Sequence, residues 1–128
     1  MKNKISIGTA QFGMNYGITN KNKSLSISEI GKILSYAKLH SNVHVGQHSK
    51  IMNYVWLFPY VILTNDPIPP SEIREGVIIE PFSIVCTRST VLPGRKIGFG
   101  SFVGANSLVN VNLKAETIGS GNPFTIRG

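Results

Sequence analysis

An aliphatic residue stands at every sixth position over two long stretches of this chain. The positions are Val45, Ile51, Leu57 and Leu63, then Ile79, Val85, Val91, Ile97, Val103 and Val109. A helix repeats its buried stripe every ~3.6 residues and a simple strand every ~2, so neither produces this spacing. Short strands turned at regular corners, three faces to a coil, do produce it, and that is the repeat of a parallel β-helix. The aliphatic side chain then points into a narrow triangular core, covered by its counterparts in the coils above and below. Four residues after the later aliphatic positions come Ser83, Ser89, Arg95, Ser101 and Ser107, all small except the arginine. Glycine directly follows the aliphatic residue at Gly46, Gly98 and Gly104. Small residues suit tight corners, and glycine tolerates a positive φ there. Val43–Leu63 and Val77–Leu113 together make about three coils at roughly eighteen residues each.

The chain ahead of this repeat has a different texture. Ile5-Ser-Ile-Gly-Thr-Ala alternates as a short strand does, and Gln11-Phe-Gly-Met-Asn-Tyr-Gly is a glycine-punctuated loop. Ser26 or Ser28 is suited to cap a helix in which Ile30, Ile33, Leu34 and Ala37 follow at helical spacing. Residues 1–40 therefore read as strand, loop and helix, and residues 41–128 as the β-helix, with a protruding loop over 64–76. One β/α unit is too small to bury its own faces.

The 128 residues suit one compact domain, and 41% apolar with 15% charged side chains argues against wholesale disorder. The single cysteine, Cys86, excludes an intrachain disulfide and fits a reducing compartment. The longest apolar run, Tyr54 to Leu63, is short and holds Pro59, and the first residues lack a signal peptide's apolar core, so a cytoplasmic protein without membrane insertion is expected. The net charge is +7. Six lysines against Glu29 alone precede Ser41, with no arginine before Arg74. Nucleic-acid readers gather arginines and aromatics on one surface, so scattered lysines read as a solvated edge rather than a nucleic-acid interface.

The stretch from Val43 to Arg127 resembles the hexapeptide-repeat acyltransferases. The likeness rests on Ile97-Gly-Phe-Gly-Ser-Phe-Val-Gly-Ala-Asn-Ser-Leu-Val, on the preceding Val91-Leu-Pro-Gly, on Leu63-Thr-Asn-Asp-Pro and on the closing Gly121-Asn-Pro. It implies a left-handed parallel β-helix and a homotrimer, with acetyl-coenzyme A lying between adjacent β-helices. The branch it looks most like acylates sugars or nucleotide-linked amino sugars for surface polysaccharides. Residues 1–40 instead resemble the opening of an aldo-keto reductase, through Ile7-Gly-Thr-Ala-Gln-Phe-Gly-Met-Asn-Tyr-Gly-Ile and a helix over 26–38. That family's catalytic residues lie beyond this point and have no counterpart here, so this resemblance gives a fragment rather than an activity.

Direct acyl transfer needs a base for the acceptor's proton, and histidine suits the task near neutral pH. His48 is preferred and His44 follows. Their spacing with His40 resembles a helical metal site, but Val43, Val45 and Ile51 commit the stretch to the β-helix rhythm, so no metal is expected. His48 plus one coil of about eighteen residues is Asp66, so a regular coil stacks carboxylate on imidazole. Asn65 and Asp66 match the family's loop and are expected to contact the acceptor or position the base. The loop from Thr64 holds no histidine, a departure from many family members. Coenzyme contacts are expected at Gly104, Ala105 and Asn106, with Lys114 and Arg127 toward its phosphates. Asn122-Pro-Phe-Thr stands where a lysine is common in the family. Cys86 reads as a structural thiol. The alternative to an active transferase is a non-catalytic hybrid whose β-helix serves assembly.

Overall fold

In the computed structural model, the described residues are 37–70 and 72–127. They form short strands of two or three residues that stack into parallel sheets. One face of the prism carries β1 (Ala37–Leu39), β4 (Val55–Leu57), β7 (Ile84–Val85), β10 (Phe102–Val103) and β12 (Ile118–Ser120). The second carries β2 (His44–Val45), β5 (Ile62–Leu63), β8 (Thr90–Val91) and β11 (Leu108–Val109). The third carries β3 (Lys50–Ile51), β6 (Ile78–Ile79) and β9 (Lys96–Ile97), extended by a parallel bridge from Ile97 to Leu113. This is the left-handed parallel β-helix that the repeat and the resemblance predict.

The six-residue phase is visible directly in the pairing. Leu39 lies opposite Leu57, Leu57 opposite Val85, and Val45 opposite Leu63, which lies opposite Val91. From Leu57 onward every aliphatic residue of the repeat is fully buried. Each such side chain contributes about 1.5–3 kcal/mol relative to exposure. Four coils are present rather than about three, because Leu39 extends the phase one step backward and Leu113 fills the last third-face position four residues after Val109.

The corners repeat as regularly as the core. Residues in the left-handed region recur at Asn42, His48, Tyr54 and Tyr60, then at Phe82, Arg88, Gly94, Gly100 and Asn106. Gly46, Gly98 and Gly104, which the sequence offers as positive-φ corners, are not among them. They are glycine because the next coil comes close: an added Cβ would lie 2.8 Å from Leu63 O, 2.5 Å from Ala115 N and 2.8 Å from Ser120 Cβ respectively. The corner serines turn inward as hydrogen-bond clips. Ser83 Oγ donates to Gly98 O at 2.7 Å, Ser89 Oγ to Gly104 O at 2.9 Å, and Ser101 Oγ to Lys114 O at 2.7 Å. These bonds satisfy hydroxyls that would be costly to bury alone.

At the C-terminal end the chain reverses. β13 (Thr125–Arg127) pairs antiparallel with β12, and the Phe124 ring fills the space where a Cβ on Gly119 would sit. The strand, loop and helix expected over residues 1–40, with their reductase likeness, lie outside the described residues up to position 36. Where they overlap, the expected helix end is corrected: Ala37–Leu39 is a strand paired with β4, so residues 37–39 already belong to the β-helix, ahead of the expected boundary at 41. Helical spacing at Ala37 and six-residue spacing at Leu39 compete there, and burial of Leu39 in the stack prevails.

Candidate active site

The insertion at one corner of the second coil organises the site. Leu63 ends the second face, and the chain leaves the coil until Gly76 and Val77 rejoin it. Glu75 N donates to Asn65 O at 2.8 Å and closes the neck of the excursion. Its foot also rests on the third coil, where Gly94 N donates to Glu75 O at 3.0 Å. Gly94 has φ of 68°, and an added Cβ would lie 2.6 Å from Glu75 Oε2.

This excursion breaks the eighteen-residue stacking expected between His48 and Asp66. Lys50 pairs with Ile78, and Val77 N donates to Ser49 Oγ at 3.1 Å, so Gly76 is the residue stacked on His48. The approach is tight enough that a Cβ on Gly76 would lie 2.1 Å from the carbonyl carbon and oxygen of His48. The Asp66 carboxylate is engaged elsewhere: Oδ2 lies 3.4 Å from Arg74 Nη1. Its other oxygen, Oδ1, is buried and has no hydrogen-bond partner among the described residues. A buried acceptor left unsatisfied costs about 1–3 kcal/mol.

Both candidate bases are exposed on the first coil. His44 lies on β2 opposite Ile62, and His48 occupies the next corner with φ of 64°. Between them is Gly46, over which the Asn65 side chain lies; a Cβ on Gly46 would be 2.9 Å from Asn65 Cβ. The second face and its adjoining corner thus bring His44, His48 and Asn65 to the lowest two coils, with Asp66 in the loop beside them.

The residues expected to meet the coenzyme lie at the C-terminal end of the stack and are spread over separate places. Gly104, Ala105 and Asn106 form the corner after β10, where Gly104 is packed by Ser120 and Asn106 has φ of 57°. Lys114 occupies the corner before β12, its carbonyl accepting from Ser101 Oγ and from Thr117 Oγ1. Arg127 is exposed opposite Ile118 on β13. The Gly104–Asn106 and Lys114 corners therefore flank the first face, about three coils, or ~14 Å along the stack, above the coil of the histidines, and Arg127 lies two strands beyond β10.

Burial pushes the Cys86 thiol up from its ordinary value, which disfavours the thiolate and agrees with a structural role. Among the described residues no three of His, Cys, Asp and Glu are grouped so as to hold a metal ion. No helix there is long and apolar enough to cross a membrane.

One cluster escapes sequence reasoning. His40, Trp56 and Phe58 stack with ring centroids 5.0–5.8 Å apart, and Trp56 Nε1 donates to His40 Nε2. Lys38 Nζ lies 4.8 Å from the centre of the Trp56 ring. The signal was available: Lys38 and Trp56 are one coil apart, and extending the six-residue phase from Val45 back to Leu39 pairs them.

No family model and no curated protein matches this sequence. Solved structures do. A serine acetyltransferase in complex with CoA aligns over 72% of this chain with a TM-score of 0.61 and 21% identity. A maltose O-acetyltransferase from Clostridium difficile 630 aligns over 72% with a TM-score of 0.57 and 21% identity. A serine acetyltransferase from Brucella abortus strain S19 aligns over 72% with a TM-score of 0.53 and 19% identity. The chain spans 40%, 61% and 40% of those three proteins respectively. At these identities the likeness establishes the shared β-helix.

Proposed function

We propose that this chain is an acyltransferase that moves an acetyl group from acetyl-coenzyme A to a sugar or a nucleotide-linked amino sugar, in the making of a surface polysaccharide. The observation that carries the reading is the β-helix shared with a serine acetyltransferase bound to CoA and with a maltose O-acetyltransferase. The corner loop at Asn65 and Asp66, with Asn65 lying over Gly46 between His44 and His48, supports an acceptor site at the lower end of the stack.

The acceptor's hydroxyl or amine attacks the thioester carbonyl. A new C–O or C–N bond forms, the C–S bond breaks, and the acceptor's proton passes to a base while coenzyme A leaves as the thiol. His48 is the preferred base and His44 the next. Asn65 and Asp66 orient the acceptor. Gly104, Ala105 and Asn106 let the pantetheine arm approach the backbone, and Lys114 and Arg127 meet the phosphates.

A homotrimer suits the outward rows. The first face presents Lys38, Trp56, Ile84, Phe102 and Ile118, and the second His44, Ile62, Thr90 and Leu108; the third presents Lys50 and Lys96 around Ile78. Two unlike faces that are mainly apolar above the first coil, and a third that carries two lysines, fit a closed ring of head-to-tail contacts, with the third face in water. Ile68 and Ile73 stand exposed on the loop and would reach the neighbouring subunit.

The second reading, a non-catalytic hybrid, is favoured by a specific observation: the loop holds no histidine, and Asp66 pairs with Arg74 rather than stacking on His48. Thiol release from acetyl-coenzyme A, measured against a panel of sugars and amino sugars, separates the two. The proposal expects turnover that falls about a hundredfold or more in His48→Ala. Unchanged turnover in that variant moves the base to His44, and no thiol release with any acceptor favours the hybrid.

A further inference from the structure

The excursion from Thr64 to Glu75 replaces one corner contact of the regular stack with another. At Asn42, Tyr54, Tyr60, Phe82, Arg88 and Gly100, all in the left-handed region, the preceding carbonyl accepts from the amide of the corner residue one coil on. Phe82 N to Asn53 O, at 3.2 Å, and Arg88 N to Pro59 O, at 3.1 Å, are examples. His48 shares that conformation, with φ of 64°, but Gly76, which is stacked on it, makes no such bond to Gln47 O. A left-handed conformation is unfavourable for an ordinary L-residue and persists where its surroundings over-determine it.

What holds the His48 corner comes from both ends of the loop. On the outgoing side Gly46 N donates to Leu63 O at 2.7 Å, and the Asn65 side chain lies over Gly46. On the returning side Val77 N donates to Ser49 Oγ at 3.1 Å, and Lys50 N donates to Val77 O at 2.7 Å. The Ser49 bond has a counterpart in the unbroken part of the stack, where Ser107 N donates to Ser89 Oγ at 3.3 Å. The partners are 18 residues apart there and 28 at Ser49, so the loop adds ten residues and keeps the contact.

We infer that Ser49 is a positioning residue for the acyl-transfer base. By accepting from Val77 N it ties the returning end of the loop to the corner whose backbone aims the His48 imidazole. Ser49 acts through its neighbour and takes no part in the chemistry. The inference rests on the reading of His48 as the base.

Steady-state thiol release from acetyl-coenzyme A by the full chain tests it, with the panel sugar or amino sugar that turns over fastest as acceptor. Ser49→Ala should lower kcat about tenfold or more and leave both KM values within about twofold, since a misplaced base weakens the step rather than the binding. In a His48→Ala background the same substitution should change kcat by less than about twofold, because no imidazole is left to position. Ser83→Ala, which removes a serine clip at another corner, should leave kcat unchanged. Should Ser49→Ala fail to fold, Ser49→Cys, whose thiol is a weak acceptor, is read in the same way. Three results overturn the inference: an unchanged kcat in Ser49→Ala, an equal fall with and without His48, or an equal fall in Ser83→Ala. A wild-type chain that releases no thiol with any acceptor overturns the acyl-transfer reading itself, and the inference falls with it.

Discussion

Arg88 and Gly76 show how tightly single corner residues are set. Arg88 has φ of 58°, in a region that costs an ordinary L-residue roughly 1–2 kcal/mol, and its counterparts Gly94 and Gly100 avoid that cost. Arg88→Gly should raise stability by about 0.5–1 kcal/mol once glycine's greater freedom in the unfolded chain is offset. Urea unfolding measures it, and a loss of stability would mean the arginine makes a contact that outweighs the strain. Gly76 is the opposite case. A Cβ there meets rigid backbone of His48, so Gly76→Ala should destabilise by about 3 kcal/mol or more. An alanine variant as stable as the parent would show that the loop's return does not bear on that corner. The inward residues were legible in the sequence because burial imposes a strict spacing on them. The corner conformations were less so: Tyr54, Tyr60, Phe82 and Arg88 are not residues that announce a positive φ, because the stack dictates the turn whatever side chain occupies it.

Between coils, short-range electrostatics act mainly through Glu80. Lys96 Nζ lies 2.7 Å from Glu80 Oε1, and Phe99 N donates to Glu80 Oε2 at 2.9 Å. The Lys96 bond first, and then the Phe99 amide, hold the Glu80 carboxyl below its ordinary value. A carboxyl lowered in the folded state contributes stability above its unfolded pKa and loses it as the pH falls through the folded one. Stability should therefore decline on acidification below the ordinary carboxylate range, and Glu80→Gln should remove part of that decline. The effect is small because the pair is exposed, so chemical denaturation at pH 7 and pH 3 is the suitable comparison. A pH dependence identical in the variant would assign the acid response to other carboxyls. The loop shows where spacing stops being informative. Counting eighteen residues from His48 arrives at Asp66 only for an unbroken coil, and the excursion from Thr64 to Glu75 hands that place to Gly76. Asn65 is a candidate because it matches a motif, and its position over Gly46 depends on a glycine whose role is clearance rather than turn geometry.

At the scale of the molecule, a four-coil prism carries candidate acceptor groups at its lower end and candidate coenzyme groups at its upper end. The architecture was legible because one short repeat generates it; an assembly is not, because it depends on what meets a surface rather than on spacing along the chain. The most direct test of the account is the thermal unfolding midpoint of the full chain with and without acetyl-coenzyme A. At about a hundred times its dissociation constant the ligand should stabilise the native state by about 2.7 kcal/mol. For a chain of this length that is an upward shift of roughly 10 °C. An unchanged midpoint in a cooperatively melting protein would contradict a coenzyme site and leave the β-helix as a scaffold.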